Sequence, residues 1–150
     1  MTGIVNFKGE SILRLVVGDH ETQRVVVDSV VDTGYTGFLT LPPATIVTLD
    51  LKWRGIKDVV LGDGCTQRFD VYSARIIWNG KFRPINKVNE ADTDSLVGLG
   101  LLYGYQMYIQ IKDGGSVKIR SLQDETLHFH FSFQTFGCSL TFPITRRRQP

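Results

Sequence analysis

Apolar residues in this chain recur at every second position, in short runs broken by Gly, Asp and Asn. A half-buried strand requires that period, because successive side chains point to opposite faces. Residues 11–17 set the pattern: Leu13, Leu15 and Val17 share one face, and Arg14 takes the other. Gly18-Asp19-His20 reads as a turn. A second strand is expected over 23–31, where three consecutive valines suggest burial on both faces. The pattern changes after Leu41. Pro42-Pro43 followed by Ala-Thr-Ile-Val-Thr-Leu predicts a short helix entered through proline, whose fixed φ suits a first helical turn.

Residues 59–61 and 67–71 flank Gly62-Asp63-Gly64 and predict a hairpin with that triplet at its tip. The second arm continues to Trp78 and turns at Asn79-Gly80, a strong two-residue hairpin signal. Residues 81–88 return, and a polar loop is expected from Asn89 to Ser95. Leu96 to Leu102 is an apolar run with two glycines. Residues 105–112 alternate, with Tyr105, Met107, Ile109 and Ile111 on one side. Asp113-Gly114-Gly115 then turns the chain into 116–120. No segment supports a long amphipathic helix, and no repeat is evident. The expected class is mostly β, with one or two short helices.

Composition limits the function classes. The length of 150 residues suits one domain. Apolar residues at 42% and charged residues at 21% are those of an ordinary globular chain rather than a disordered one. Lys and Arg number 17 against 15 Asp and Glu, a net charge of +2, and Arg146, Arg147 and Arg148 stand together near the end. The near-neutral body gives no electrostatic support to a nucleic-acid surface. No run of about 18 apolar residues offers a membrane span. The start, MTGIVNFKGE, lacks the basic and apolar regions of a signal peptide, so a cytoplasmic location is expected.

Metal and cofactor chemistry finds little purchase. Cys65 and Cys138 are too few for a disulfide framework, and Cys65 reads as a partly exposed thiol. His128 and His130 could share a strand face, but no second ligand pair accompanies them, so no metal is expected. Neither a Gly-x-Ser-x-Gly nucleophile nor a phosphate-binding glycine loop is present. Trp53 and Trp78 are expected in the core or at an interface.

Asp32-Thr33-Gly34 stands out, directly after Val30-Val31. A charged, unpaired carboxylate buried at the end of an apolar strand costs several kcal/mol, on the order of 3–5. Glycine permits a turn that a side chain would block. Taken alone, the triplet is a strand end with a Thr-Gly turn. Its surroundings, Val-Asp-Thr-Gly-Tyr-Thr-Gly-Phe-Leu-Thr-Leu-Pro over 31–42, resemble the active-site segment of retropepsin-like aspartic proteases, most of all their single-domain bacterial branch. A second hallmark of that clan, an apolar pair, a glycine and a short helix, is matched by Leu-Val-Gly-Leu-Gly-Leu-Leu-Tyr-Gly-Tyr over 96–105. The Gly62-Asp63-Gly64 hairpin lies between them, where the clan places its flap.

The resemblance covers roughly residues 10–122 and implies a closed β-barrel protomer paired as a twofold homodimer. It implies an aspartic endopeptidase that cleaves extended peptides without metal or cofactor. Asp32 would be catalytic, Thr33 and Gly34 would fix the loop, and the Thr33 hydroxyl would brace the partner loop. Gly62, Asp63 and Gly64 would form the flap, and Leu96, Val97 and Gly98 would support the loop from behind. Viral members often carry an arginine after that last glycine, which salt-bridges near the active site. Here Leu99-Gly100 occupies the place, so that ion pair cannot form.

The chemistry itself asks for two carboxylates sharing a proton, one activating water and one donating to the scissile carbonyl. The chain has one Asp-Thr-Gly. Asp92-Thr93-Asp94 lacks the glycine and reads as a solvated loop that caps the following turn. The second aspartate must then come from a second copy across a twofold axis. Residues 1–122 form the expected protease domain and 123–150 an extension of unassigned role. Within the extension, 128–133 alternates like a strand and the Arg-rich end reads as a frayed tail. The rival reading is a catalytically silent dimeric β-barrel that binds extended peptides or scaffolds a complex.

Overall fold

The computed structural model describes residues 1–20, 23–60 and 64–122. Ten strands and two short helices follow in the order β1 (Thr2–Val5), β2 (Ser11–His20), β3 (Gln23–Val31), β4 (Leu39–Leu41), α1 (Pro43–Thr48), β5 (Lys52–Val60), β6 (Thr66–Trp78), β7 (Lys81–Glu90), β8 (Leu96–Val97), α2 (Leu99–Leu102), β9 (Tyr105–Ile109) and β10 (Ser116–Ser121). The chain is mostly β, as its period-two patterning requires. The strands join one sheet in the order β5-β6-β7-β4-β8-β3-β2-β1-β10-β9. An added pairing of β2 with β6, Val17 opposite Ile76, makes the hydrogen-bonded neighbours from β6 round to β2 a ring.

Alternation puts the core inside that ring. Leu13, Leu15 and Val17 have no exposed surface, whereas Arg14 on the other face forks onto Asp28 at 2.7 and 3.0 Å. Leu39, Leu41, Val88, Val97, Leu101 and Ile119 are equally buried. Each such side chain contributes about 1.5–3 kcal/mol by leaving water. Trp78 is in the core and meets Tyr105 edge to face, with centroids 5.8 Å apart. The hairpin at Asn79-Gly80 forms as expected, both residues taking positive φ, 49° and 78°. The helix expected after Pro42 is α1, with Pro42 at its N-cap. Among the described residues, no helix is long and apolar enough to cross a membrane.

Several expectations are corrected. Gly18-Asp19-His20 is not a turn: it extends β2, with Gly18 pairing both Arg24 and Arg75. The valine run in β3 is not buried on both faces, since Val26 points outward at 58% exposure and the alternation of the strand holds. Asn89 and Glu90 are not loop: parallel pairing with Thr40 and Leu41 of β4 carries β7 two residues further. Of the two places expected for Trp53, core or interface, the core is excluded: it is exposed on the outer strand β5. Ile111 lies beyond the end of β9 and is exposed. Strands β1 and β4, too short for a pattern to show, were not anticipated. The residues expected to form a strand at 128–133, with His128, His130 and Cys138, lie outside the described residues.

Candidate active site

Strand β8 passes between β3 and β4, parallel to the first and antiparallel to the second. Val31 and Leu39 both pair with Val97. This placement carries the end of β3 onto β8, where the Asp32 N–H donates to the Val97 carbonyl at 2.9 Å. Three further backbone bonds lace the loop to the β8–α2 segment. Gly98, Leu99 and Gly100 donate to the carbonyls of Phe38, Tyr35 and Gly37 at 3.0, 2.8 and 2.8 Å. The structure thus brings Asp32, Thr33 and Gly34 together with Leu96, Val97 and Gly98.

Space requires glycine at Gly98 and is tight at Gly34. A Cβ at Gly98 would press into the backbone carbonyls of Tyr35 and Gly37, so the two segments could not close up. At Gly34 a Cβ would stand 3.2 Å from Asp32 Oδ1, the same oxygen that accepts the Gly34 N–H at 2.8 Å. The glycine of the triplet keeps φ out of the left-handed region, so its role is clearance beside the carboxylate. The Asp32 side chain is therefore held by its own loop, an Asx-type turn, and is only partly buried. Thr33 is exposed next to it.

A buried polar network lies beneath, which the sequence pattern missed. Ser95 Oγ donates to the Thr40 carbonyl at 2.7 Å and lies 2.8 Å from Ser29 Oγ. Thr40 Oγ1 accepts the Leu96 N–H at 2.8 Å. Ser29, Thr40 and Ser95 are all buried, so each needs these partners. Serine and threonine read as surface in a hydropathy pattern. The available signal was Ser29 on the inward phase of β3, in step with Val27. Tyr35 lies half-buried over Gly37 and Gly98, and burial pushes its phenol up to about 12. Its hydroxyl finds no hydrogen-bond partner among the described residues.

The short helix α2 is braced from β7. The Arg83 guanidinium donates to the Leu101 carbonyl at 3.2 Å and approaches that of Gly100 at 3.4 Å. A cation on a different strand therefore steadies the segment where Leu99-Gly100 leaves no arginine.

Asp32 opens onto a cavity of about 650 Å³, larger than hollows of about 360 and 420 Å³ described elsewhere. Its volume is in the range of ligand clefts. Val60 of β5 and Gln67 of β6 wall it, so the arms of the predicted flap hairpin stand over the Asp32 loop. Gly64 takes φ 84° and is exposed, while Gly62 and Asp63 lie outside the described residues. Asp92 and Thr93 also line the cavity, so that segment is cleft wall as well as exposed loop. Glu90, Asp70 and Arg68 also line it, and no sequence motif marks them.

No protein-family model matches the chain. No curated protein matches it in sequence. Among solved structures, the fold is similar to a retropepsin-like aspartic protease from Rickettsia conorii, with a TM-score of 0.51 and 15% identity. That similarity covers 79% of this chain and 89% of the other. At that identity it defines the class of fold, retropepsin-like, and leaves activity to the residues.

Proposed function

We propose that the protein is an aspartic endopeptidase that works as a homodimer, residues 1–122 forming the protease unit. The observation that carries this reading is Asp32, held on a loop laced to β8 and opening onto a peptide-sized cleft walled by a hairpin. The ring of strand pairings supports a closed β-barrel protomer.

A twofold axis beside Asp32 sets two Asp32 carboxylates together. Two adjacent carboxylates do not both ionise cheaply, so the pair shares a proton and titrates as a unit. The ionised member takes a proton from the attacking water. The neutral member donates a hydrogen bond to the scissile carbonyl. The tetrahedral intermediate collapses as the amine leaves with a proton from the dyad. Thr33, exposed at the loop, braces the partner's loop. Gly34 leaves room for the carboxylate, and Leu96, Val97 and Gly98 hold the loop from behind. The hairpins ending in Gly62, Asp63 and Gly64 close over an extended peptide and exclude water. The chemistry uses no metal and no cofactor.

The test compares wild type with Asp32→Asn on a mixed peptide library, with circular dichroism as the control for folding. The expected result is cleavage by wild type and none by a folded Asp32→Asn. Peptide binding without turnover by a folded, dimeric wild type would instead establish the silent peptide-binding domain.

A further inference from the structure

The cleft that Asp32 opens onto is lined by both apolar and acidic side chains. Apolar side chains, among them Val59, Val60 and Phe69, line part of it. The lining also carries three carboxylates besides Asp32: Asp70, Glu90 and Asp92. One cation, Arg68, faces them among the described lining residues, and it is already ion-paired to Asp58 at 3.2 Å. The molecule as a whole carries +2, so the cleft is charged against the net charge of the chain.

Two of these carboxylates are held in place by neutral donors. The Tyr72 hydroxyl donates to Glu90 Oε2 at 2.8 Å, and the Trp53 indole N–H donates to Asp70 Oδ1 at 2.8 Å. Such partners orient a carboxylate and leave its charge uncancelled. The hydrogen bond to Glu90, with desolvation and the charges of Glu90 and Asp70, pushes Tyr72 up to about 12, so it stays a neutral donor. Asp70 and Glu90 also lie one residue beyond the Val71–Asn89 cross-strand pair. Like charges on neighbouring strands oppose folding. The two carboxylates nonetheless stand together where β6 and β7 border the cleft.

We infer that the cleft selects extended peptides carrying Lys or Arg near the scissile bond, with Glu90 and Asp92 as specificity-determining residues. The aliphatic stem of either cation lies along the apolar lining while its head reaches the carboxylates. A twofold copy repeats the lining on the other side of the dyad, so cations on both flanks are favoured. This inference rests on the endopeptidase reading.

The experiment uses three fluorescent peptides that differ only at the residues flanking a common central pair: Lys, Gln or Glu. Binding is measured to full-length Asp32→Asn by anisotropy, and cleavage by wild type as kcat/KM. The Lys peptide is expected to exceed the Glu peptide about five- to tenfold in both at low salt, and less at high salt. Asp92→Asn, on an exposed loop, and Glu90→Gln, which keeps its shape, should each reduce the preference. Asp113→Asn, exposed in the β9–β10 turn, should leave it unchanged. Lys preference in binding without cleavage overturns the endopeptidase reading and upholds the acidic lining. Cleavage of all three peptides at equal rates overturns the inference and leaves the reading intact. Binding of none of them overturns both.

Discussion

Strand β8 and the β5–β6 hairpin face each other across one cleft and are held in different ways. The β8 side has Val97 buried and paired on both edges, four backbone bonds to the Asp32 loop, and a buried Ser29–Ser95–Thr40 network under it. The hairpin has β5 as an edge strand, exposed at seven of its nine positions, with the exposed contacts Trp53–Asp70 and Arg68–Asp58 along it. The difference teaches where precision resides. The Asp32 carboxylate, which the proposed dimer would bring to its twin across an axis, is set by groups that cannot relax without breaking buried backbone bonds. A wall that must admit a peptide is built from contacts worth about 1 kcal/mol or less each.

Four substitutions break or sharpen that contrast. The largest effect is expected for Gly98→Ala. Its Cβ meets the carbonyls of Tyr35 and Gly37, and the two segments must part at a cost of about 3 kcal/mol. Urea unfolding should show the loss, and cleavage should vanish with it. Ser95→Ala comes next, because it strips a partner from Ser29 and from the Thr40 carbonyl. About 1–3 kcal/mol is expected. In a double-mutant cycle with Ser29→Ala the two losses should be less than additive.

On the hairpin side, Trp53→Phe removes one exposed hydrogen bond. Stability should fall by under about 1 kcal/mol, and steady-state kinetics should show a raised KM with kcat nearly unchanged. An equal fall in kcat would put the hairpin in the rigid class. The smallest change at neutral pH is expected for Tyr35→Phe, which deletes a buried hydroxyl with no partner among the described residues. Its effect appears in alkali. Tyr35 is raised by burial to about 12, against about 10 when unfolded. The unfolded chain therefore loses this proton first. The contribution is complete below pH 10 and is lost as pH climbs through 12. Tyr35→Phe should flatten part of that alkaline decline in melting temperature, and Tyr72, raised similarly, should account for another part.

What could be read beforehand follows the same division. Asp32-Thr33-Gly34 and Leu96-Val97-Gly98 are legible through the resemblance to retropepsin-like segments, and at Gly98 the close backbone packing shows why a glycine stands there. The Asn79-Gly80 hairpin was legible because few residues accept two positive φ values in succession. Glu90 is hidden because its polar stretch reads as loop, and the pairing with Leu41 that extends β7 comes from a distant segment. Asp92 looked like ordinary solvated loop, since a residue on a cleft rim has the same local sequence as one on open surface. Ser29, Thr40 and Ser95 were hidden because their burial depends on where three strands cross. Arg83 offered no signal at all: its partners are backbone carbonyls of α2, which any sequence would supply.

The central claim is that each working site takes one Asp32 from each of two chains. Mixing wild type with Asp32→Asn at fixed total protein, after time for subunits to exchange, tests it directly. Random pairing in an equal mixture leaves about one quarter of the dimers with two aspartates. Activity should then fall to about one quarter of that of wild type alone, following the square of the wild-type fraction. A fall to one half, linear in that fraction, would mean that a single chain carries a complete site and would contradict the account.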